Sequence, residues 1–341
     1  MHPKIKLLGI YILVFFAVAN IIVVYCYEIS TLPISEKTTF HPDLRTDYRE
    51  QIEKEKPEVI ILGDSAISYL DEEIVSEVIG KKTKVFAFPG TGSAYWYLFI
   101  RNQVFLARHK PEFLLVIFRD SMLTVPAYRV QGEYFTRLEE VASDWDQDVY
   151  ALAINNIKPK LMRIADSYIP LLSYRNEIFR EYIHWARNFV PALFSIAGEM
   201  EINNAYETVF EREQINDQLW ELQLMNQDTM LYTPQSMDFS ANVRESFLPA
   251  MIRDLMMMDI KPIFMRAKYR SHTTDTAVAP GLKAYLDNLS AYFGDAGVLF
   301  ADLSQEPRLT ESMFADNFHI HSSAGRAASQ ITAENIRALM E

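Results

Sequence analysis

The most apolar stretch of the chain lies at its start, where LLGIYILVFFAVANIIVVYCY runs from Leu7 to Tyr27 without a charge. No polar face recurs at helical spacing, which disfavours a buried amphipathic helix of a soluble core. Wound as a helix at about 1.5 Å per residue, the run spans about 30 Å, the thickness of a bilayer's hydrocarbon core. Lys4 and Lys6 precede it and Glu28 follows, so the positive-inside tendency predicts a cytoplasmic N-terminus with everything after residue 28 exported. Ala17-Val18-Ala19 fits a signal-cleavage site, and Cys26 offers a lipidation site, for which Tyr25 is bulky. Because the apolar run continues well past Ala19, an uncleaved single-pass anchor over residues 1–28 is the favoured expectation.

A polar linker over 29–56 leads to a different pattern. Pro57-Glu58-Val59-Ile60-Ile61-Leu62 is a short β-rich apolar run ending at Gly63, and Lys84 to Phe88, Phe113 to Phe118, Pro262 to Met265 and Val298 to Ala301 are four more. Helical stretches are expected between them at 71–79, 95–109, 243–258 and 281–293. A last helix begins at Ser322 or Ser323 as cap and runs to the C-terminus. Strands that are continuously apolar and alternate with helices predict an α/β fold: a mostly parallel five-stranded sheet in a three-layer α/β/α sandwich. The α/β domain is expected to comprise 57–126 and 243–341. Residues 127–242 interrupt it as a helical insertion after the third strand, with helices near 152–164 and 177–189. Leaving and re-entering at the carboxyl edge of the sheet, where open α/β folds bind ligands, the insertion is expected to act as a cap.

Composition narrows the function classes. At 49% hydrophobic and 13% aromatic residues the chain can bury a large core. With 33 Lys and Arg against 45 Asp and Glu, a net charge of −12 disfavours nucleic acid as a partner. The single cysteine, Cys26, allows no intramolecular disulfide. The acidic run Glu139 to Asp148 is expected to be a solvated face, Met256-Met257-Met258 gap-filling core, and Arg266, Lys268 and Arg270 solvated charge after the fourth strand.

The residues that carry chemistry lie at the two ends of the α/β pattern. Gly63-Asp64-Ser65 places a serine on the turn after the first strand, where its hydroxyl faces the carboxyl edge and nearby backbone N–H groups can hold an oxyanion. Asp316-Asn317-Phe318-His319 places a carboxylate three residues before an imidazole, so that Asp316 can orient the ring while His319 takes a proton from Ser65. Each motif alone is common. Their joint placement at one sheet edge is specific.

On these residues the chain resembles the SGNH (GDSL-type) hydrolase superfamily, whose members carry Gly-Asp-Ser and Asp-x-x-His blocks on a flavodoxin-like sandwich. The resemblance implies Ser65 as nucleophile, His319 as base and Asp316 as its partner. It implies an oxyanion hole formed by the Ser65 amide and a glycine of the second block, Gly90 first and Gly92 next, in Pro89-Gly90-Thr91-Gly92-Ser93. The chain departs from the pattern at the third block. Phe118-Arg119-Asp120-Ser121 stands where Gly-x-Asn-Asp would offer an Asn donor. Arg119 can supply the missing N–H groups as a fork, or Asp120 and Ser121 can order the loop while two backbone groups form the hole. Loss of one such donor costs about 10²–10³ in rate. Asp64, Asp120 and His321 complete the expected site as substrate-binding groups. No metal-ligand spacing appears, and the chemistry requires no cofactor.

An N-terminal anchor with an outward SGNH-like domain is similar to the acyl-modifying proteins of bacterial envelopes. That similarity implies an O-acetyltransferase or esterase acting on an envelope polysaccharide or other acylated glycan, held at the inner membrane with its catalytic domain periplasmic. A multi-span membrane acyltransferase would supply the acyl group. The rivals are a plain anchored carboxylesterase or lipase, and a catalytically degenerate SGNH domain that binds polysaccharide or scaffolds an envelope complex.

Overall fold

The five apolar runs form one parallel sheet. In the computed structural model, which describes residues 3–29, 46–130, 133–143, 145–154, 164–165, 168–175, 178, 229–269 and 281–341, the strands are β1 (Val59–Gly63), β2 (Thr83–Ala87), β3 (Phe113–Phe118), β4 (Lys261–Arg266) and β5 (Leu299–Asp302). Their order is β2-β1-β3-β4-β5, all pairs parallel. This is a flavodoxin-like order, in keeping with the parallel five-stranded sheet expected from the pattern and the flavodoxin-like sandwich implied by the resemblance. Every residue of β1 and β3 is buried, as two-sided helix cover requires of central strands. The pleat divides their side chains between two cores. Ile60, Leu62, Leu114, Val116 and Phe264 face one of them, whereas Val59, Ile61, Leu115, Ile117 and Ile263 face the other.

The helices are α1 (Pro3–Cys26), α2 (Arg49–Glu55), α3 (Glu72–Ile79), α4 (Ser93–Phe99), α5 (Glu133–Glu139), α6 (Gln147–Ala153), α7 (Pro170–Ser173), α8 (Phe239–Asn242), α9 (Leu248–Met257), α10 (Leu282–Asp295) and α11 (Gly325–Met340). α4, α9 and α10 contribute to the first core, α3 and α11 to the second. α3 begins at Asp71, whose carboxylate accepts from the Glu73 and Ile74 amides, and ends at Gly80 with φ +72°.

Several expectations are corrected. The segment expected as a linker ends in helix α2, which buries Ile52 and is tied to the domain through Arg49 N–H to Gln103 Oε1, 3.0 Å. The helix expected over 95–109 starts at Ser93 and passes into a π-helical turn at Ile100–Val104. That turn faces the acidic run, which is solvated at Asp148 but buried at Glu139 and Asp146. Asp146 is fully buried, accepting from Ser143 N–H and Asn102 Nδ2 at 2.7 Å each and pairing with Arg101 Nε at 3.3 Å. Its carboxyl is raised by burial against those bonds. Glu139 is buried as well, while Met256 and Met257 are exposed rather than core. The serines expected to cap the last helix lie in a 3-10 turn, Ser322–Ala324, begun by the Ala324 amide bonding His321 O, so Ala324 takes the cap position without a side-chain bond.

The chain divides into two compact units, residues 1–38 with 155–224 and residues 39–154 with 225–341. The expected insertion is therefore split: 127–154 and 225–242 belong to the α/β unit. The helix expected at 177–189 and most of the one at 152–164 lie outside the described residues. In the first unit, Asn20 Oδ1 accepts from Leu171 N–H at 3.0 Å and the Tyr27 and Tyr174 rings lie 4.4 Å apart. Among the described residues one helix, Leu8–Cys26, is long and apolar enough to cross a membrane, and most of its large side chains are exposed. The full chain is expected to stay in the membrane pellet after alkaline carbonate, while a chain begun at Glu28 is released; release of the full chain would contradict the anchor.

Candidate active site

Sheet order places the site. The chain leaves β1 toward β2 on one side and leaves β3 toward β4 on the other, so the loops after β1 and β3 part at their carboxyl ends and open a crevice. Gly63 closes β1 where a Cβ would lie 3.0 Å from Ile117 O and from the Ile67 side chain, tighter than most Cβ contacts, so a larger residue would push its neighbours aside. Ser65 then opens a 3-10 turn, Ser65–Ile67, capped by Asp64 Oδ1 accepting from the Ala66 amide at 2.9 Å.

On the other side of the crevice, Asp316 folds its own loop. Its Oδ1 accepts from the Phe318 and His319 amides, both at 2.8 Å, while Ala315 N–H bonds His319 O at 2.7 Å and Phe314 bridges Ile320. Its Oδ2 lies 2.6 Å from His319 Nδ1, and His319 Nε2 lies 2.9 Å from Ser65 Oγ. With the ring proton on Nδ1, the imidazole donates to Asp316 and accepts from the Ser65 hydroxyl. Burial works to raise the Asp316 carboxyl, but the bonds from His319 and the two amides outweigh it and hold the group below the ordinary carboxylate range.

The second-block glycines follow β2, beside the Ser65 turn, where Phe88 N–H bonds Gly63 O at 2.9 Å. Gly90 has φ +74°, and a Cβ there would meet the Tyr134 ring at 3.0 Å. At Gly92 a Cβ would meet Tyr128 at 2.9 Å, so packing alone explains that glycine. Thr91 pins the loop, donating to Phe88 O at 2.8 Å and accepting from Trp96 Nε1 at 3.0 Å.

Three expected binding or oxyanion residues have different surroundings. Asp64 is buried, its Oδ2 accepting from Arg119 Nη2 at 3.3 Å with Arg129 Nη1 at 3.7 Å, so its carboxylate is occupied within the fold rather than offered to substrate. Arg119, with a side chain 2% exposed, also donates to Tyr128 OH at 3.0 Å and lies 4.0 Å from the centre of the Phe318 ring. The third block thus places a buried cation, bonded to Asp64 and Tyr128, where a fork of N–H donors to the oxyanion was expected. Asp120, at φ +40°, is fully buried against Arg266, with contacts of 2.9 and 2.6 Å, and accepts from Tyr232 OH at 2.7 Å. Arg266 is likewise buried rather than solvated, and it also bonds Asp302 and Ser304 at 3.0 Å. Lys268 donates to Glu306 O at 2.7 Å, and Arg270 lies outside the described residues. Ser121 donates to Leu231 O. His321 is exposed on the loop, its amide bonding Met313 O, and takes no part in the Ser65–His319–Asp316 chain.

Sequence reasoning missed Tyr128, Arg129, Tyr134 and Tyr232. Tyr128 and Arg129 follow a proline in an irregular segment, with no period to mark them. Phe318 sat in view inside Asp316-Asn317-Phe318-His319. Among the described residues no three His, Cys, Asp or Glu side chains gather as a metal site.

Fold and site together define an α/β protein with a serine, an imidazole and a carboxylate hydrogen-bonded in series at the sheet's switch point. No family model and no curated protein matches the chain. Among solved structures it is similar to a G-D-S-L family protein assigned as lipolytic from Desulfitobacterium hafniense DCB-2, at 9% identity over 81% of this chain and 97% of that one, with a TM-score of 0.35.

Two predictions follow from the buried and exposed carboxylates. Asp120→Asn leaves Arg266 with Asp302 as its remaining carboxylate partner among the described residues and is expected to destabilise the fold toward the lower end of about 3–5 kcal/mol, measured by thermal unfolding. A loss below about 0.5 kcal/mol would contradict the assigned pairing. Asp316, lowered in the folded state, contributes stability that is complete above the ordinary value of about 3.9 and is lost as pH falls through the folded value. Its side chain is 57% exposed, so the Asp316→Asn deficit at pH 7 is expected to stay within about 1 kcal/mol and to vanish once pH falls below the folded value. A deficit that does not change with pH would contradict this linkage.

Proposed function

We propose that the chain is a membrane-anchored serine acyl-transfer enzyme of the SGNH kind, moving an O-acetyl group on a polysaccharide of the bacterial cell envelope. The observation that carries the reading is the series Ser65 Oγ, His319, Asp316, at 2.9 and 2.6 Å, on the carboxyl edge of the sheet. Ser65 Oγ attacks the acyl carbon while its proton passes to His319 Nε2, and Asp316 stabilises the imidazolium. The tetrahedral oxyanion takes hydrogen bonds from the Ser65 amide and the Gly90 amide. Collapse breaks the ester C–O bond, the leaving alcohol takes the proton from His319, and Ser65 keeps the acyl group. A sugar hydroxyl or water then gives its proton to His319 and attacks the acyl-enzyme, forming a new ester or the free acid and restoring Ser65. The route uses no cofactor.

The apolar helix, with Lys4 and Lys6 before it and Glu28 after it, supports a single-pass anchor in the inner membrane with the catalytic unit outside the cytoplasm. In that place a multi-span membrane acyltransferase is the proposed source of the acyl group. Plain hydrolysis is the second reading. The side chains of His319 and Asp316 are 41% and 57% exposed, so water can reach the base.

Turnover of p-nitrophenyl acetate by the full chain in detergent is expected to fall at least about 10³-fold in Ser65→Ala. Equal rates would remove Ser65 as the nucleophile. Acetate appearing on an added envelope glycan at the expense of free acetate supports transfer. Free acetate alone, whatever the glycan, assigns the chain to hydrolysis.

A further inference from the structure

We infer that Arg119 is a positioning residue that clamps the turn carrying the nucleophile to the loop carrying the base. The inference rests on reading Ser65 and His319 as that pair. Ser65 and His319 stand 254 positions apart and must hold a 2.9 Å contact across the crevice. Each is preceded directly by a residue that Arg119 touches. Before Ser65 is Asp64, whose Oδ1 caps the Ser65 turn and whose Oδ2 accepts from Arg119 Nη2 at 3.3 Å. Before His319 is Phe318, whose ring centre lies 4.0 Å from the Arg119 guanidinium carbon and whose amide is held by Asp316 Oδ1 at 2.8 Å. One planar cation therefore reaches both halves of the catalytic pair from the central strand.

Arg119 is itself well placed to be fixed. It follows β3 directly, where Ala267 N–H bonds Phe118 O at 2.8 Å, and its own amide reaches Met122 Sδ at 3.4 Å. Tyr128 OH accepts a further bond from Nη2. The task suits arginine. A guanidinium can stack its face on an aromatic ring while its edge donates to a carboxylate, whereas the compact ammonium of lysine keeps the charge but loses the flat stack. The position that would bear an oxyanion donor in the resembled pattern thus serves the alignment of Ser65 and His319. A group that touches no reacting atom acts on kcat through geometry, and misplacement by about 1 Å can cost about 10²-fold.

The test is a double-mutant cycle on the full chain in detergent with p-nitrophenyl acetate, using Arg119→Met, Phe318→Leu and the pair, with hydrogen exchange of the 311–321 segment measured alongside. The clamp predicts that each single substitution lowers kcat about 10- to 100-fold, with KM within about twofold. The double variant should be no slower than the worse single, because both break the same contact. Arg119→Lys should recover part of the loss. Amide exchange at Phe318 and His319 should quicken in both singles, with Phe318→Leu, on a partly exposed loop, keeping the wild-type unfolding midpoint. Near-wild-type kcat in Phe318→Leu, or losses that multiply in the pair, would overturn the clamp and mark Arg119 as a direct oxyanion donor. Unchanged exchange in both singles would overturn it too. Quickened exchange in a chain whose turnover does not depend on Ser65 would remove the proposed function and with it the positioning role, leaving a purely structural contact between the two loops.

Discussion

The structure depends on placing ionised side chains at the carboxyl ends of its two central strands without leaving them exposed to water. A carboxylate or a guanidinium taken from water costs several kcal/mol unless partners replace its hydration. Asp64 after β1 and Arg119 after β3 meet that cost by pairing with one another, with Arg129 beside them and Tyr128 accepting from Arg119. One residue further along, Asp120 pairs with Arg266 at the end of β4, and Arg266 reaches Asp302 at the end of β5. Four of the five strands thus end in a layer of ion pairs, buried but for the partly exposed Asp302, and Ser65 follows Asp64 at its edge. The layer gives the loops above the sheet a rigid floor, as a serine and an imidazole from opposite ends of the chain require.

The strands were legible because a strand covered on both faces must be apolar throughout, although the equally apolar run Ala94–Ile100 is a buried helical stretch. Ser65, Asp316 and His319 were legible because their chemistry demands residue types in close sequence, a serine on a strand-to-helix turn and a carboxylate within one loop of its imidazole. Asp64 and Asp120 were not. Each looks like a binding group in a polar loop, and its burial is decided by arginines 55 and 146 positions away, which no local pattern announces. The same holds for Asp146, read as part of a solvated acidic run until Asn102 and the π-helical turn of α4 are seen beside it.

The departure at the third block has its physical account in that ionic layer. An Asn there would be neutral and short. Arg119 is charged and long enough to touch Asp64, Tyr128 and Phe318 at once, and its burial beneath Phe318 ties it to the loop of the base. Under the proposed mechanism, stabilisation of the oxyanion would fall to backbone N–H groups of Ser65 and of the Gly90 loop, which follows β2. Backbone donors are fixed by the fold and need no side-chain ordering in the transition state, which suits a site whose base is partly open to water.

The central claim is that Ser65 is activated by His319 and Asp316 as a nucleophile. Labelling the full chain with a fluorophosphonate, which reacts with an activated serine, and mapping the adduct by peptide mass spectrometry tests that claim most directly. The account predicts one phosphonylated peptide, carrying Ser65, and its loss in His319→Ala. An unlabelled chain, or an adduct placed elsewhere and indifferent to His319, would contradict it.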